Sequence, residues 1–495
     1  MNKKLVAYLL GNVLLFVSPL HLVCALIAVA TDDSWTSRTV VAFAIPFLTM
    51  IILGTVLSVA FWGHRTTVLK RRDGIGVVAL SWVVVCFFGA FPYYITGTTV
   101  AQAIFESISG FTTTGATIYG DIESLPKAIL YWRSLTQWIG GLGILVLLVA
   151  LLMRLGIRGR ALVGGESSVN LSSSSTSKIS DLAIHLLWVY LVFSVLCFVA
   201  LLTGGHLSGT EISVEEAIHY TLTTVATGGF APHNASAAHF DSVTIECIMI
   251  FFMLLSSLSF VLIYQMIFER KLKCKVGVGE AMAFFGIIVI VLTAVVAGLM
   301  LQSGMTFGAA MRNATFPIVS MASSSGFGTS DYDAWPLAAK ILLAFVMIVG
   351  GCGGSTSGGL KVNRLTLLLR ILRLEIQKTF RPDIVTSIKV DAQKVSDAIL
   401  YRTLIYIVTM GFILLISCGI VGIMEPSIRD LETAVGAVIG TLFNMGPGFG
   451  SLGPTDNYGA LSSHTLLFLG WLMLLGRLEV FVLLALFTKA LWKVN

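Results

Sequence analysis

Apolar residues occur along this chain in long runs, which short polar segments separate. Ten of these runs approach or exceed the roughly 20 residues that a helix needs to cross a bilayer. They lie near 5–30, 38–62, 74–97, 135–155, 182–204, 242–268, 280–303, 336–375, 398–424 and 461–492. The first run exceeds the apolar core of about 7–15 residues found in cleaved signal peptides, so we expect it to remain as a helix. The pattern therefore predicts an all-α membrane protein with ten transmembrane helices.

Basic residues between the runs set the expected orientation, because positively charged loops stay in the cytoplasm. The basic groups are Lys3 with Lys4, Arg65 to Arg72, Arg154 to Arg160, Arg270 to Lys275, Lys361 to Arg381, and Lys489 with Lys493. With ten spans, all of them fall on one side. The opposite connections are acidic, at Asp32 with Asp33, Asp121 with Glu123, Glu211 to Glu216, Asp331 with Asp333, and Glu425 with Asp430. We therefore expect a multi-pass protein with both termini in the cytoplasm and an acidic outer face.

Composition supports a lipid environment. The chain has 495 residues, of which 56% are hydrophobic and 12% charged, whereas soluble domains carry roughly 25% charged residues. The net charge of +6 comes from the separate loop clusters, so membrane lipid is the expected partner and nucleic acid is not. Seven cysteines are scattered without a pairing pattern, which favours neither a disulfide framework nor a metal cluster.

A repeat follows the two leading helices: span, outer hairpin, span, four times over. The hairpins read AIFESISGFTTTGAT (103–117), AIHYTLTTVATGGF (217–230), ATFPIVSMASSSGFGTS (314–330) and AVGAVIGTLFNMGPGFG (434–450). Each is an apolar helix too short to span, ending in small or hydroxyl residues and glycine. The predicted division is 1–72 for the leading helices, then repeats at 73–160, 161–275, 276–394 and 395–495. Four re-entrant hairpins in pseudo-fourfold arrangement are expected to surround one pore.

The hairpin ends have the composition of a carbonyl filter for a monovalent cation. A dehydrated cation needs a ring of oxygens, and glycine permits the backbone that presents them. Alignment of one glycine per hairpin places Gly115, Gly228, Gly326 and Gly448 in register. These positions carry neither a ring of carboxylates nor a ring of basic residues. The alternative is that each hairpin is an ordinary amphipathic outer loop, but non-helical backbone at membrane depth must be buried or line a cavity.

A second unusual segment interrupts the eighth run. Its residues are Gly350, Gly351, Cys352, Gly353, Gly354, Ser355, Thr356, Ser357, Gly358 and Gly359. Because each glycine costs about 1 kcal/mol relative to alanine in a helix, the span is predicted to break here. A phosphate-binding loop is excluded because Gly359 occupies the lysine position, and a serine nucleophile elbow is excluded because Thr356 occupies its centre.

Arg477, inside the tenth run, and Arg133, beside the fourth, are the two arginines that need an explanation. A charge such as that of Arg477 costs roughly 2.5–3.5 kcal/mol on insertion scales unless it faces water or polar backbone. The alternatives for Arg477 are snorkelling or a local pair with Glu479, although residues two apart on a helix do not share a face. Arg133, near the outer end of the fourth run, is interpreted as structural.

The motifs together resemble a known family. The hairpins FTTTGAT, TVATGGF, SSSGFGTS and NMGPGFG, with WRSLTQWIGGLGI (132–144), GGCGGSTSGGLKVNR (350–364) and GRLEVF (476–481), are similar to the Trk/Ktr/HKT potassium transporters, and within them to the bacterial TrkH family. The resemblance covers essentially the whole chain. It implies potassium uptake across the bacterial inner membrane, a homodimer with one pore per protomer, and a cytosolic TrkA-like nucleotide-binding ring. A nucleotide, ATP/ADP or NAD(H), would then act only through that ring.

The resemblance also implies roles for individual residues. The potassium filter would comprise Thr113, Thr114, Gly115, Ala116, Ala226, Thr227, Gly228, Gly229, Ser324, Ser325, Gly326, Phe327, Gly446, Pro447, Gly448 and Phe449. The gate would comprise Gly350, Gly351, Gly353, Gly354, Ser355, Thr356, Ser357, Gly358, Gly359 and Arg477. Glycine at position 115 favours potassium over sodium, while Pro447 has no amide hydrogen to brace the filter and would weaken selectivity.

Other functions remain to be weighed against transport. A membrane-embedded hydrolase would need a nucleophile and base or clustered metal ligands, but the histidines are dispersed and no HExxH motif occurs. The chain is therefore predicted not to be an enzyme. A sodium-selective or poorly selective pore, and channel-like or ion-coupled transport, stay open at this point.

Overall fold

The computed structural model describes residues 1–32, 37–67, 69–143, 176–267, 277–383, 387–390 and 393–492. The predicted basic clusters at 154–160 and 270–275 lie outside these ranges, as does the inner part of the predicted 135–155 span. Within the described residues, six helices are long and apolar enough to cross a membrane, and a bent pair adds a seventh candidate. The chain is thus an all-helical, multi-pass membrane protein, while the count of ten spans stays a prediction.

Two long helices lead the chain, Lys3–Asp32 and Arg38–Ala60. They pack closely where Gly11 faces Gly54: a Cβ built on Gly11 would lie 2.8 Å from the carbonyl oxygen of Gly54. Close backbone approach at small residues is typical of helix pairs in membranes. The next span consists of Arg71–Gly89 continued by Phe91–Thr96.

Four short, buried helices of the described chain follow at the predicted hairpin positions. We call them pore helices after the role predicted for them, and they are Val100–Phe111, Val214–Val225, Phe307–Ala322 and Leu431–Leu442. Side chains cap three of their N-termini, from Thr99, Ser213 and Asp430, which explains why polar residues precede each apolar stretch. At 12–16 residues they are too short to span a bilayer of about 20 helical residues.

Each pore helix lies between two further helical segments. Those before the second, third and fourth are Thr176–Ser208, Val278–Ser303 and Asp397–Met424. Those after the four pore helices begin with Lys127–Gly141, Val243–Ser257, Leu337–Val349 and Ser463–Arg477. The described chain also contains four short 3-10 helices, at Trp62–His64, Ser236–Phe240, Tyr332–Ala334 and Gly450–Leu452. It contains one pair of two-residue strands, Lys389–Val390 with Gln393–Lys394.

In the structure, three of the ten predicted apolar runs are broken into separate helices. The sixth run consists of Val243–Ser257 and Phe260–Ile267, which meet at 97°. The eighth stops at Val349 and resumes as Val362–Phe380, at the glycine-rich segment that the sequence identified. The tenth splits into Ser463–Arg477, Phe481–Ala485 and Lys489–Trp492. The sixth and tenth breaks correct the sequence prediction, since neither segment contains the glycine cluster that marks the eighth.

Candidate functional site

The four pore helices end with the same backbone conformation. One non-glycine residue after each helix has left-handed φ: Thr113 at 55°, Thr227 at 53°, Ser324 at 56° and Asn444 at 55°. Two residues later, a glycine again has positive φ, at Gly115, Gly229, Gly326 and Gly446. Four copies of an otherwise uncommon conformation establish that these segments are equivalent.

Hydrogen bonds confirm the equivalence. In each segment the amide between the two positive-φ residues donates to the carbonyl five positions earlier, at 2.8–2.9 Å. The donor and acceptor pairs are Thr114 with Ser109, Gly228 with Thr223, Ser325 with Ser320, and Met445 with Gly440. Each pore helix therefore closes with one tight turn that fixes the following backbone.

The equivalent glycines form a closed ring. A Cβ on Gly115 would lie 2.2 Å from the carbonyl oxygen of Gly228, and one on Gly229 would lie 2.1 Å from that of Ser325. The ring continues from Gly326 to the Met445 carbonyl at 2.4 Å and from Gly446 to the Thr114 carbonyl at 2.6 Å. Each repeat thus contacts the next through a glycine and the carbonyl directly before the neighbouring glycine. Any side chain at these positions would collide with backbone.

This ring corrects the alignment made from the sequence. Gly115 and Gly326 are equivalent, as predicted, but their counterparts are Gly229 and Gly446. The sequence alignment was one residue early in the second repeat, at Gly228, and two residues late in the fourth, at Gly448. Doublets such as Gly228-Gly229 offer two possible registers, and only the turn at the end of the helix distinguishes them.

An open cavity on the outer side leads to this ring. Gly115, Gly229, Gly326 and Pro447 line its floor, one position from each repeat. Arg133 and His233 are among the residues of its wall. The cavity therefore borders the ring beside residues 119–122 of the first repeat and 453–458 of the fourth.

A buried ion pair supports the first two repeats beside the cavity. Arg133 Nε lies 2.9 Å from Glu106 Oε1, and both side chains are almost fully buried. The guanidinium also donates to the Ala231 carbonyl and to Thr117 Oγ1, each at 3.1 Å, and lies 4.1 Å from the centre of the Phe230 ring. Arg133 therefore has the structural role expected of it. Glu106 was not singled out from the sequence, although an acidic residue in an apolar pore helix is itself a signal.

Other side chains anchor the backbone around the ring. Gln137 Nε2 donates to the Gly228 carbonyl at 2.7 Å, and Gln137 Oε1 accepts from the Phe230 amide at 3.0 Å. In the fourth repeat, Tyr458 donates to the Gly446 carbonyl at 3.0 Å. Asn444 Nδ2 donates to Thr114 Oγ1 at 2.9 Å and so links the fourth repeat to the first. Gln137 and Tyr458 lie outside the hairpin motifs in sequence, so the motifs did not reveal them, whereas Asn444 stands two positions before Gly446.

The glycine-rich segment lies against the opposite side of the ring. Gly350, Gly354 and Gly359 have φ of 68°, 76° and 82°, so this path requires residues without a side chain. A Cβ on Gly358 would lie 2.3 Å from the Phe443 carbonyl. The helix breaks here, as the sequence predicted, and the residues of the break form a tightly packed loop.

This loop contacts three of the four repeats. Thr356 Oγ1 accepts a hydrogen bond from Thr227 Oγ1 at 3.1 Å. The Gly358 amide donates to Ser324 Oγ at 2.5 Å, and the Gly359 amide donates to the Phe443 carbonyl at 3.0 Å. The loop therefore joins the ends of the second, third and fourth pore helices.

Arg477 connects the loop to the first repeat. Its Nη1 donates to the Thr356 carbonyl at 2.9 Å and its Nη2 to the Gly140 carbonyl at 2.5 Å. Glu479 pairs with Arg364 at 2.8 Å, which argues against a pair between Arg477 and Glu479. The Arg477 guanidinium thus donates to polar backbone. Polar backbone, like water, reduces the cost of placing a charge within an apolar segment.

Comparison with known proteins identifies this arrangement. The profile of the TrkH family, described as a cation transport protein, matches residues 40–493. The chain belongs to the TrkH family. The Trk system potassium uptake protein TrkH of Halomonas elongata is 36% identical over the full length of both chains. That of Escherichia coli K12 is 34% identical and covers 91% of this chain and 92% of its own.

A solved structure shares the whole fold. The crystal structure of the potassium transporter TrkH from Vibrio parahaemolyticus superposes with a TM-score of 0.85 at 31% identity and covers 100% of both chains. The family resemblance that the motifs indicated is therefore confirmed. Because the TrkH family consists of transport proteins, the prediction that this chain is not an enzyme is also confirmed.

Proposed function

We propose that this TrkH-family chain is a potassium-translocating subunit that takes up K⁺ through the ring of four pore-helix ends. Its relatives named for potassium uptake support the ion, and the observation that carries the proposal is the closed glycine ring. Four backbone segments converge there without intervening side chains. A carbonyl cage of this kind replaces the water shell of a monovalent cation.

The corrected register narrows the filter. The carbonyls of Thr114, Gly228, Ser325 and Met445 precede the four ring glycines and are the first ligands proposed. The wider set carried over from the family, from Thr113 to Ala116, Ala226 to Gly229, Ser324 to Phe327 and Gly446 to Phe449, supplies the neighbouring carbonyls. Hydroxyl side chains at Thr113, Thr227 and Ser324 and the amide of Asn444 continue the polar path below the ring.

The loop at 350–359 and Arg477 are proposed as the gate. The loop contacts the second, third and fourth repeats. Arg477 adds a positive charge between the loop and the first repeat. A steric obstruction and a cation barrier would then act at one constriction, below the ring that selects the ion. Polar contacts from loop to ring at Thr356 and Gly358 support this assignment.

The assembly proposed from the family is a homodimer in the bacterial inner membrane, with both termini cytoplasmic. A cytosolic TrkA-like nucleotide-binding ring would regulate opening. The helix Val362–Phe380 supports this partner, because it continues from the loop and carries exposed Arg370 and Arg373.

Flux measurements on purified protein in liposomes test the proposal. We expect K⁺ and Rb⁺ to pass in preference to Na⁺ and Li⁺, at several imposed membrane potentials. Equal permeation of all four ions would contradict the potassium claim, and preference for Na⁺ would support the sodium alternative. Protein-free liposomes and liposomes with heat-denatured protein provide the background rate.

A further inference from the structure

We propose that the outer mouth holds a binding site for a divalent transition-metal ion of the Zn²⁺ class, formed by Glu123, His233 and His239. Among the described residues, these three bring one ligand atom each within 4.8 Å of one another. The filter and gate use none of these side chains. The site would therefore be a separate feature of the extracytoplasmic face.

His233 is the centre of the cluster. Its Nε2 lies 2.7 Å from Glu216 Oε1, and its Nδ1 lies 3.4 Å from Glu123 Oε1. The ring of His239 stacks on that of His233 with centroids 3.5 Å apart, and His239 Nε2 lies 3.7 Å from the same Glu216 oxygen. Glu123 and Glu216 thus face different nitrogens of the His233 ring: Glu123 lies on the side of the candidate ion, and Glu216 is the outer partner that a metal-binding imidazole typically has at its other nitrogen.

The ligands come from separate elements that the outer mouth brings together. Glu123 lies in the loop after the first ring glycine. His233 and His239 follow the second, and Glu216, which supports the His233 ring from its other side, lies in the first turn of the second pore helix. A metal here would fasten the outer loops of the first and second repeats to each other, beside a cavity that His233 helps to line.

The donor set selects the class of ion. Imidazole nitrogen with carboxylate oxygen is a common ligand set for Zn²⁺, with bonds of about 2.0–2.2 Å, and imidazole favours Zn, Cu and Ni over Mg²⁺ or Ca²⁺. Ligand atoms of a tetrahedral zinc lie about 3.3 Å apart by this bond length. The stacked His239 ring must turn so that both imidazoles direct a nitrogen at the ion, and the exposure of Glu123 and His239, 50% and 41%, leaves room for that rotation.

Occupancy would also affect transport, and this part rests on the proposed function. A bound divalent ion adds positive charge at the wall of the cavity through which K⁺ enters. Charge within a Debye length of about 8 Å at physiological ionic strength alters the local cation concentration. Metal binding should therefore slow K⁺ entry without changing the ratio of K⁺ to Na⁺.

Calorimetric titration with ZnCl₂ tests the site directly, on full-length protein in detergent after removal of any polyhistidine tag. We expect about one high-affinity Zn²⁺ per chain, and at least about tenfold weaker binding in His239→Ala and in His233→Ala, since even outer-shell changes cost 10–100-fold. His464→Ala, at an exposed outer histidine outside the cluster, should bind Zn²⁺ as the parent does. Cobalt absorption in the same samples reports coordination by nitrogen and oxygen.

The binding and flux measurements separate the two proposals. Absence of saturable Zn²⁺ binding, or binding unchanged in both histidine variants, would overturn the metal site whatever the flux result. His239→Ala keeps the test decisive if His233→Ala misfolds, because His239 is the more exposed ring. Failure of K⁺ flux with intact Zn²⁺ binding would count against the proposed function alone.

Discussion

Gly115 shows how narrow the tolerance of a single residue is in this molecule. Its φ of 84° and the 2.2 Å approach of its built Cβ to the Gly228 carbonyl both exclude a side chain. Adding one displaces a carbonyl that belongs to the neighbouring repeat. The effect therefore spreads to a second quarter of the ring.

Substitution of Gly115 by serine should weaken the preference for potassium. A displaced carbonyl no longer matches the dehydrated ion, and a loss of about 1.4 kcal/mol in differential binding would lower the K⁺ to Na⁺ flux ratio tenfold. Ion competition in liposomes measures the ratio. Gly411→Ser is the matched control, because nothing lies within 4 Å of a Cβ at Gly411. A folded Gly115→Ser protein with the parental ratio would show that the ring is not the filter.

The pair of Glu106 and Arg133 leads to a prediction about stability. Removal of one partner leaves a buried charge without its counterpart, which costs about 3–5 kcal/mol. Glu106→Gln and Arg133→Met should each lower the unfolding temperature in detergent, whereas the double variant should recover part of the loss. Size-exclusion chromatography after heating measures this.

A surface pair provides the control for that series. Lys127 and Glu215 lie 2.6 Å apart with side chains 56% and 30% exposed, and exposed pairs contribute little. Lys127→Met should leave the unfolding temperature almost unchanged. Equal effects at both pairs would contradict the buried-pair argument.

The sequence contains a signal that would have fixed the register of the ring. Each ring glycine stands two positions after a polar residue whose φ is left-handed in the structure: Thr113, Thr227, Ser324 or Asn444. Alignment on glycines alone passed over this pattern, because Gly228 and Gly448 are also available. Asparagine is among the residues most enriched in that conformation, so Asn444 was the strongest local marker.

At the scale of elements, the loop at 350–361 and the last membrane segment differ in how far sequence predicts them. Glycine content alone placed the first break between Val349 and Val362. The second break has no glycine within it, yet Glu479 and Val480 have φ of 53° and 54°. Positive φ at a β-branched residue is imposed by tertiary contacts, such as the pairing of Glu479 with Arg364. Local propensity could not have predicted it.

The loop and Arg477 should act as one barrier. Arg477→Ala, or removal of residues 354–356, is expected to raise basal K⁺ flux several-fold while the K⁺ to Na⁺ ratio stays the same. Because the arginine and Thr356 share a hydrogen bond, the two changes together should be less than additive. Liposome flux at matched protein density measures all three variants.

The control for the gate is an arginine elsewhere on the membrane helices. Arg402→Ala, at an exposed position of Asp397–Met424, should leave basal flux unchanged. Gate variants that fold but conduct no faster than the parent would remove the gate assignment. If the variants instead lose the preference for K⁺ over Na⁺, the loop would be reassigned as a structural support of the filter.

At the scale of the whole molecule, the helix Val362–Phe380 presents an exposed surface, which we propose binds a cytosolic partner. Only Val362 and Leu367 of this helix are buried, and Arg373 is exposed. We expect a soluble nucleotide-binding ring to co-purify in gentle detergent. Arg373→Glu with Lys378→Glu should reduce its recovery at least several-fold, while Arg402→Glu should not.

The result that opposes this prediction is equally clear. If mass spectrometry finds no nucleotide-binding protein in complexes purified from native membranes, the predicted partner is contradicted. Recovery that the charge reversals leave intact would place the contact on another face. Since exposed charge pairs weaken with salt, recovery should also fall as ionic strength rises.

The closed ring has a genetic consequence. In a pore assembled from four copies of one subunit, a single codon change alters the same residue in all four subunits. Here Thr114, Gly228, Ser325 and Met445 stand at equivalent places but are encoded separately. A single mutation therefore replaces one member of the ring and leaves the other three residues unchanged, although its contact with the neighbouring repeat carries part of the effect across.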